Sequence, residues 1–287
     1  MLITCYYLNI GGKDMDSSFK IQEGENGVLY YSISNFDKTN LVKTCFTTKI
    51  GGVSKGNYFS LNLGIKTDDK KENIINNFKN VCEATKISIQ NLVLSDQVHK
   101  DNIKIITKED RGKGILYDSD ILEVDGFITN EKNVALVNVY ADCVSIFLLD
   151  RKQKVIALVH SGWKGTVKKI VSKALIMMKE RFDTNPKDCL AAIGPSIGPC
   201  CYEVDDKVID QFKERFEDIS NFTLLKDNGK YMLDLWKANK MILEENGILE
   251  RNISMSNICT MCNSEKLFSY RKDQGTTGRM VGIIQLL

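Results

Sequence analysis

Three short apolar, β-branched runs dominate the middle of the chain: "VALVNVY" (134–140), "VSIFLLD" (144–150) and "KVIALVH" (154–160). Runs of this length predict buried strands, and the break at Arg151-Lys152-Gln153 predicts that the last two form a hairpin. Elsewhere the period lengthens. "NIINNFKNVCEAT" sets Ile74, Phe78, Val81 and Thr85 on one face, predicting a helix over 70–86. "TVKKIVSKALIMMKERF" sets Val167, Ile170, Val171, Ala174, Leu175, Met178 and Phe182 on one stripe, with Thr166 as the expected N-cap. Two more helices are expected near 205–217 and 234–246, the second opening at Asp234 and closing before Gly247. "MVGIIQLL" reads as a further strand. Strands and helices mix without strict βαβ alternation, so the expected fold is α+β, with mixed β-sheets flanked by helices in a single large domain. Residues 1–28 form a weakly patterned N-terminal segment, with "GGKDMD" and "QEGENG" read as turns around short strands, and residues 29–287 form the main domain.

Composition narrows the function classes. A chain of 287 residues, 43% hydrophobic and 26% charged, can bury a substantial core. Its 39 basic and 37 acidic residues leave a net charge of +2, which argues against a dedicated nucleic-acid or membrane-surface binder. No apolar run approaches the ~18–20 residues that span a bilayer. "MLITCYYLNIGGKDMD" lacks the basic start and small-residue cleavage site of a secretory signal. The nine cysteines are an odd number, which favours reduced thiols and a cytoplasmic location.

The chain has only two histidines. His160 closes the third apolar run just before Ser161-Gly162, and Cys143 stands at the join between the first two. A 144–150/154–160 hairpin brings Cys143 and His160 to the same end of one sheet, where they face each other across the ladder. His99, in the polar turn "SDQVHK", is placed to approach from a neighbouring element. Two imidazoles and one thiolate suit one zinc ion, with the fourth position open. The bland reading is that each is a satisfied core residue, and the spacing of 99, 143 and 160 matches no local zinc signature. Three glycine-punctuated loops stand out, two of them with cations: "HSGWKGT" with Lys164, "AIGPSIGPCCYEV" with none, and "SYRKDQGTTGRM" with Arg271, Lys272 and Arg279. Gly162, Lys164 and Gly165 fall at an expected helix N-terminus, where free N–H groups favour an anion. Cys259 and Cys262 have CxxC spacing. A four-cysteine zinc site would also need Cys200 and Cys201, and adjacent cysteines rarely chelate one tetrahedral ion, so these four are read as core or loop residues.

Seven ordered segments carry a resemblance: "TTKIGGVSKGNYFSLNLG", "SDQVHK", "VDGFIT", "YADCVSIFL", "HSGWKGT", "IGPSIGPCCYEV" and "CT…FSYRKD…TGR". From about Phe46 onward the chain resembles the purine nucleoside phosphorylase family whose domain carries the laccase, or polyphenol oxidase, label. The resemblance implies a zinc on His99, Cys143 and His160. It also implies phosphorolysis of adenosine, inosine, guanosine and S-methyl-5'-thioadenosine, with adenosine deamination at the same site. Its partners would be purine nucleosides and inorganic phosphate. Metal-activated water would suit attack at C6 of adenine, yet the H-x-E of other deaminases is absent because Lys100 and Asp101 follow His99. Asp142 or Asp125 is then the candidate acid/base. Lys49, Lys164 and Arg271 are the candidate phosphate cations. Lys49, Lys164 and Lys272 stand where the family usually has arginine, which keeps charge but loses the bidentate fork, and Ser145 replaces a usual proline.

Two other functions compete. A copper-dependent polyphenol oxidase needs many histidines for its copper set, although a single copper on His₂Cys fits blue-copper chemistry. A cysteine hydrolase would use Cys143 as nucleophile and His160 as base, leaving His99 spare. The sequence leaves the oligomeric state open.

Overall fold

The computed structural model describes residues 18–287. "GGKDMD" therefore lies outside the described residues. In chain order the first strands are β1 (Phe19–Glu23), β2 (Leu29–Ile33), β3 (Val42–Thr47), β4 (Leu92–Leu94), β5 (Ile103–Ile105) and β6 (Gly126–Thr129). The central run follows as β7 (Ala135–Tyr140), β8 (Val144–Asp150), β9 (Val155–Ser161) and β10 (Cys189–Ile193). β11 (Glu203–Val204), β12 (Thr223–Leu225), β13 (Tyr231–Leu233), β14 (Ile253–Met255) and β15 (Met280–Leu286) complete the set. The helices are α1 (Ser34–Asp37), α2 (Lys71–Thr85), α3 (Trp163–Val167), α4 (Ile170–Phe182), α5 (Asp206–Lys213) and α6 (Leu235–Glu245).

Two six-stranded mixed sheets carry the fold, in the orders β1-β2-β3-β15-β7-β4 and β14-β10-β8-β9-β6-β5. A small antiparallel sheet, β11-β13-β12, stands beside them. The predicted hairpin is present: β8 and β9 are antiparallel, with Val144 opposite Ser161 and Ser145 opposite His160. Their unbroken apolar runs follow from burial on both faces. Phe147, Leu149, Ile156 and Leu158 join Phe46, Leu136, Tyr140 and Ile284 of the first sheet in one cluster. The alternate residues Ile146, Leu148, Ala157 and Val159 instead meet Ile170, Ala174, Leu175 and Met178 of α4 and Ile242 of α6. On the far side of the first sheet, Ile74, Phe78 and Val81 of α2 cover Cys45, Val137 and Ile283. The order of layers is helix, sheet, sheet, helix. Each fully buried Leu, Ile or Phe in these layers contributes about 1.5–3 kcal/mol over an exposed position.

The α+β expectation holds, and α2 and α6 fall where expected, with the Asp234 side chain accepting from Lys237 N as the α6 cap. Two details differ. The single helix expected after Thr166 is two helices, α3 and α4, divided at Lys169, which takes a left-handed φ of 51°. Thr166 does not cap; it lies buried within α3, with Oγ1 3.1 Å from the Gly162 carbonyl and accepting from Asn239 Nδ2 at 3.0 Å. A threonine that bonds back to the preceding turn gives up the capping role. The helix near 205–217 is also shorter than expected, ending at Lys213. "QEGENG" is the β1–β2 turn, and the ladder from Phe19↔Ile33 to Glu23↔Leu29 crosses the boundary expected at residue 28. No helix among the described residues is long and apolar enough to cross a membrane.

Candidate metal centre and its cavity

Cys143 and His160 project from the face of the second sheet that meets the first, at the end where β8 begins and β9 ends. Asp142 turns the chain into β8 with φ of 82°, a conformation Asp tolerates better than most residues. Opposite Cys143 stands Gly162, where an added Cβ would sit 3.0 Å from the Cys143 sulfur and 3.7 Å from the His99 ring. Only glycine leaves that space.

His99 comes from the loop after β4 of the first sheet. Gln97 docks this loop on β7 by a paired amide contact, accepting from Val139 N at 2.7 Å and donating to Val139 O at 3.2 Å. His99 itself has φ of 60°. The strained turn is held because three successive backbone N–H groups, of Val98, His99 and Lys100, converge on the Asp125 carboxylate at 2.9–3.3 Å. The same carboxylate lies 2.8 Å from His160 Nδ1. Asp125, fully buried, therefore fixes both histidines and leaves Nε2 of His160 free for a ligand. The donor atoms of His99, Cys143 and His160 lie within 4.8 Å of one another, and the two imidazole rings meet edge to face at 4.8 Å.

The charges in the cluster support one another. Burial works against ionised Asp125, but His160 and the N–H groups of Lys100 and His99 hold its carboxyl below the usual range. Burial likewise opposes a Cys143 thiolate, yet His160 and His99 pull the thiol down to about 6. Burial lowers the His160 imidazole, and the Cys143 and Asp125 charges overcome it and push it up to about 9. A cation entering here must displace a proton from His160.

The cluster forms part of the lining of a cavity of about 570 Å³. Asp142, Lys164 and Arg271 line it too, as do Trp163, Tyr202, Tyr270 and Arg279. Lys49 and Lys272 do not. Lys49 instead ties loops together: its ammonium donates to Ser264 O and its backbone N–H to Lys266 O. Gly162 and Gly165 serve packing, Gly165 against His160 O and Ile170, and α3 is only five residues long. Both carboxylates are engaged in hydrogen bonds. Asp125 is saturated as described, while Asp142 accepts from Thr260 Oγ1 at 2.6 Å and from Arg271 N at 2.7 Å. Asp142 thus clamps the loop that carries Arg271. Tyr202 and Tyr270 were not singled out by the sequence. Tyr202 stands beneath the Arg271 guanidinium, 5.2 Å from ring centre, and Tyr270 beneath Arg279 at 5.6 Å. Their only signal was membership of the "CCYEV" and "SYRKD" segments.

Residues 43–287 match the family described as multi-copper polyphenol oxidoreductase laccase. The chain is 38% identical over 240 residues to purine nucleoside phosphorylase YlmD of Bacillus subtilis, covering 83% of this chain and 86% of that one. It is 31% identical over 259 residues to a purine nucleoside phosphorylase of Bacteroides thetaiotaomicron, covering 90% and 95%. The crystal structure of YlmD from Geobacillus stearothermophilus superposes with a TM-score of 0.87 at 34% identity, covering 94% of this chain and 99% of that chain.

Proposed function

The chain belongs to the multi-copper polyphenol oxidoreductase laccase family, and from its likeness to relatives named purine nucleoside phosphorylase, together with its His99–Cys143–His160 cluster, we propose that it is a zinc-dependent purine nucleoside phosphorylase. Its substrates are adenosine, inosine, guanosine and S-methyl-5'-thioadenosine with inorganic phosphate, and the same cavity deaminates adenosine. The observation that carries the reading is a cavity that joins a three-ligand cluster to aromatic and cationic walls.

The donor set fits the ion. His99, Cys143 and His160 would hold it, and three ligands leave a position toward the cavity. When bound, zinc supplies a Lewis acid that polarises the reacting group. Zinc is favoured over copper because neither reaction transfers electrons. Both histidines of the chain are already spent in this cluster, so none remains for further copper ions. A Cys143/His160 hydrolase is disfavoured by His99, which the geometry brings to the same sulfur.

The walls have separate tasks. Trp163 and Tyr202 offer ring faces to a purine. Arg271 and Lys164 bind the phosphate that attacks the ribose C1′ and steady its charge as the glycosidic bond breaks. Arg271 is aimed for this by its stack on Tyr202, by donation from Nη1 to Glu203 O at 3.0 Å, and by the Asp142 clamp on its backbone. Asp142 is a positioning residue. None of the eight described cysteines is in a disulfide, which suits a reducing cytoplasm.

Protein purified without added metal is assayed for metal and incubated with adenosine, with and without phosphate. About one zinc at this centre, with adenine and ribose 1-phosphate formed only when phosphate is present, is the expected result. Inosine formed without phosphate reports the deaminase activity. Oxygen-dependent phenol oxidation with bound copper would overturn the proposal.

A further inference from the structure

Two turns far apart in sequence meet through a short parallel bridge between Ser196 and Cys259. Ser196 N donates to Ile258 O at 3.2 Å and Thr260 N to Ser196 O at 3.0 Å. In the first turn, the N–H groups of Cys201 and Tyr202 both reach Gly198 O at 3.0 Å. That curl carries the side chains of Cys200 and Cys201 to one side, where an extended strand would send them apart. In the second, Asn263 closes on Cys259 O through its backbone N–H at 3.0 Å and its side chain at 2.8 Å, so Cys259 and Cys262 also converge.

The result is four sulfurs within 4.8 Å of one another. The Cys262 sulfur lies 3.5 Å from that of Cys200 and 3.4 Å from that of Cys201. Around a zinc with Zn–S bonds of 2.3 Å, tetrahedral geometry sets sulfurs about 3.8 Å apart. Disulfide sulfurs would be about 2.05 Å apart. Cys259 also accepts the Gly198 N–H at 3.2 Å, a bond that favours thiolate over thiol. Hydrophobic packing does not explain the group, since Cys200 and Cys262 are exposed.

We propose that Cys200, Cys201, Cys259 and Cys262 form a second metal site, a closed tetrathiolate that holds one zinc-class divalent cation and bolts together two loops of the cavity wall. Tyr202, which lines the cavity, follows Cys201 directly. Thr260, which fixes Asp142 and through it the Arg271 loop, follows Cys259 directly. With no open position the ion takes no part in the reaction; it sets the spacing of the wall.

The test uses the full chain, purified under reducing conditions, as wild type, as a His99→Ala/His160→Ala variant and as a Cys259→Ser/Cys262→Ser variant. The His99→Ala/His160→Ala protein should retain about one zinc per chain. Loaded with cobalt, it should show the intense sulfur-to-metal absorption of a tetrathiolate. The Cys259→Ser/Cys262→Ser protein should lose one equivalent relative to wild type. Should that variant fold poorly, wild-type protein answers alone: by peptide mass spectrometry the four cysteines should resist iodoacetamide until a strong chelator is added, then react together. A His99→Ala/His160→Ala protein without metal, equal alkylation with and without chelator, or a disulfide between any of the four in freshly purified protein would overturn the site. Each of these readouts is independent of nucleoside turnover.

Discussion

His99, Cys143 and His160 hang from the ends of buried strands and from a loop pinned to a buried carboxylate, whereas Cys200, Cys201, Cys259 and Cys262 hang from two turns, two of them exposed. The first cluster supplies three donors of two kinds and opens on a cavity. The second supplies four donors of one kind and opens on nothing. On the proposed reading, coordination number separates chemistry from construction: a missing fourth ligand leaves substrate a place to bind, while a complete set closes an ion off. Support differs in the same direction. Asp125 ties two donors of the first cluster with four contacts, whereas the second relies on backbone turns and one Asn263 side-chain bond to Cys259 O.

The sharpest way to break this contrast is to remove one ligand from each cluster. His160→Ala should lower phosphorolysis by about a thousand-fold, the several kcal/mol expected of a lost metal centre, in steady-state kinetics with adenosine. Comparable loss of kcat in Cys262→Ser would erase the distinction. Asp125→Asn keeps every ligand but weakens the carboxylate that orients them, so metal affinity or activity should fall about 10–100-fold in a chelator competition. Acidity acts on the same centre. Because His160 is raised to about 9, metal binding below that value must expel its proton. Affinity should therefore rise about tenfold per pH unit from about 6.5 to about 8.5, and a flat profile would show that no proton leaves. Arg271→Ala should raise the KM for phosphate about tenfold while nucleoside KM moves less, the size of a lost charged hydrogen bond. Smallest is Cys262→Ser, expected to raise nucleoside KM several-fold through a loosened Tyr202 wall with kcat nearly unchanged.

The two clusters were unequally legible in the sequence. Cys143 and His160 could be brought to one end of the sheet because adjacent apolar runs predict the hairpin, but not into register: the turn is one residue longer than expected, so Ser145 and not Cys143 stands opposite His160. The four cysteines could not be brought together, because their convergence depends on a bridge between residues 196 and 259 and on a turn at 199–202 that undoes strand alternation. Asp125 was visible within the "VDGFIT" segment and was read as a candidate acid/base, not as the carboxylate that positions two ligands. Its hold on three N–H groups and an imidazole arises where one loop crosses another, and periodicity carries no trace of that. Lys49 matched its motif in sequence, yet its ammonium is engaged with Ser264 O. The break at Lys169 escaped notice because the apolar stripe runs on through it.

One strand orders these events in time. β15 lies in the interior of the first sheet, bonded to β3 on one side and β7 on the other, although it is drawn from residues 280–286. A ribosome making this chain releases β1, β2 and β3 long before the strand that joins them to β7 exists. Until then both flanking strands have open edges, and pairing across so long a stretch of sequence is slow. Arg279 and Tyr270 emerge just before this strand, so the cavity takes shape only once β15 has been made. Nascent chains stalled before residue 280 should bind a holdase chaperone and no nucleoside.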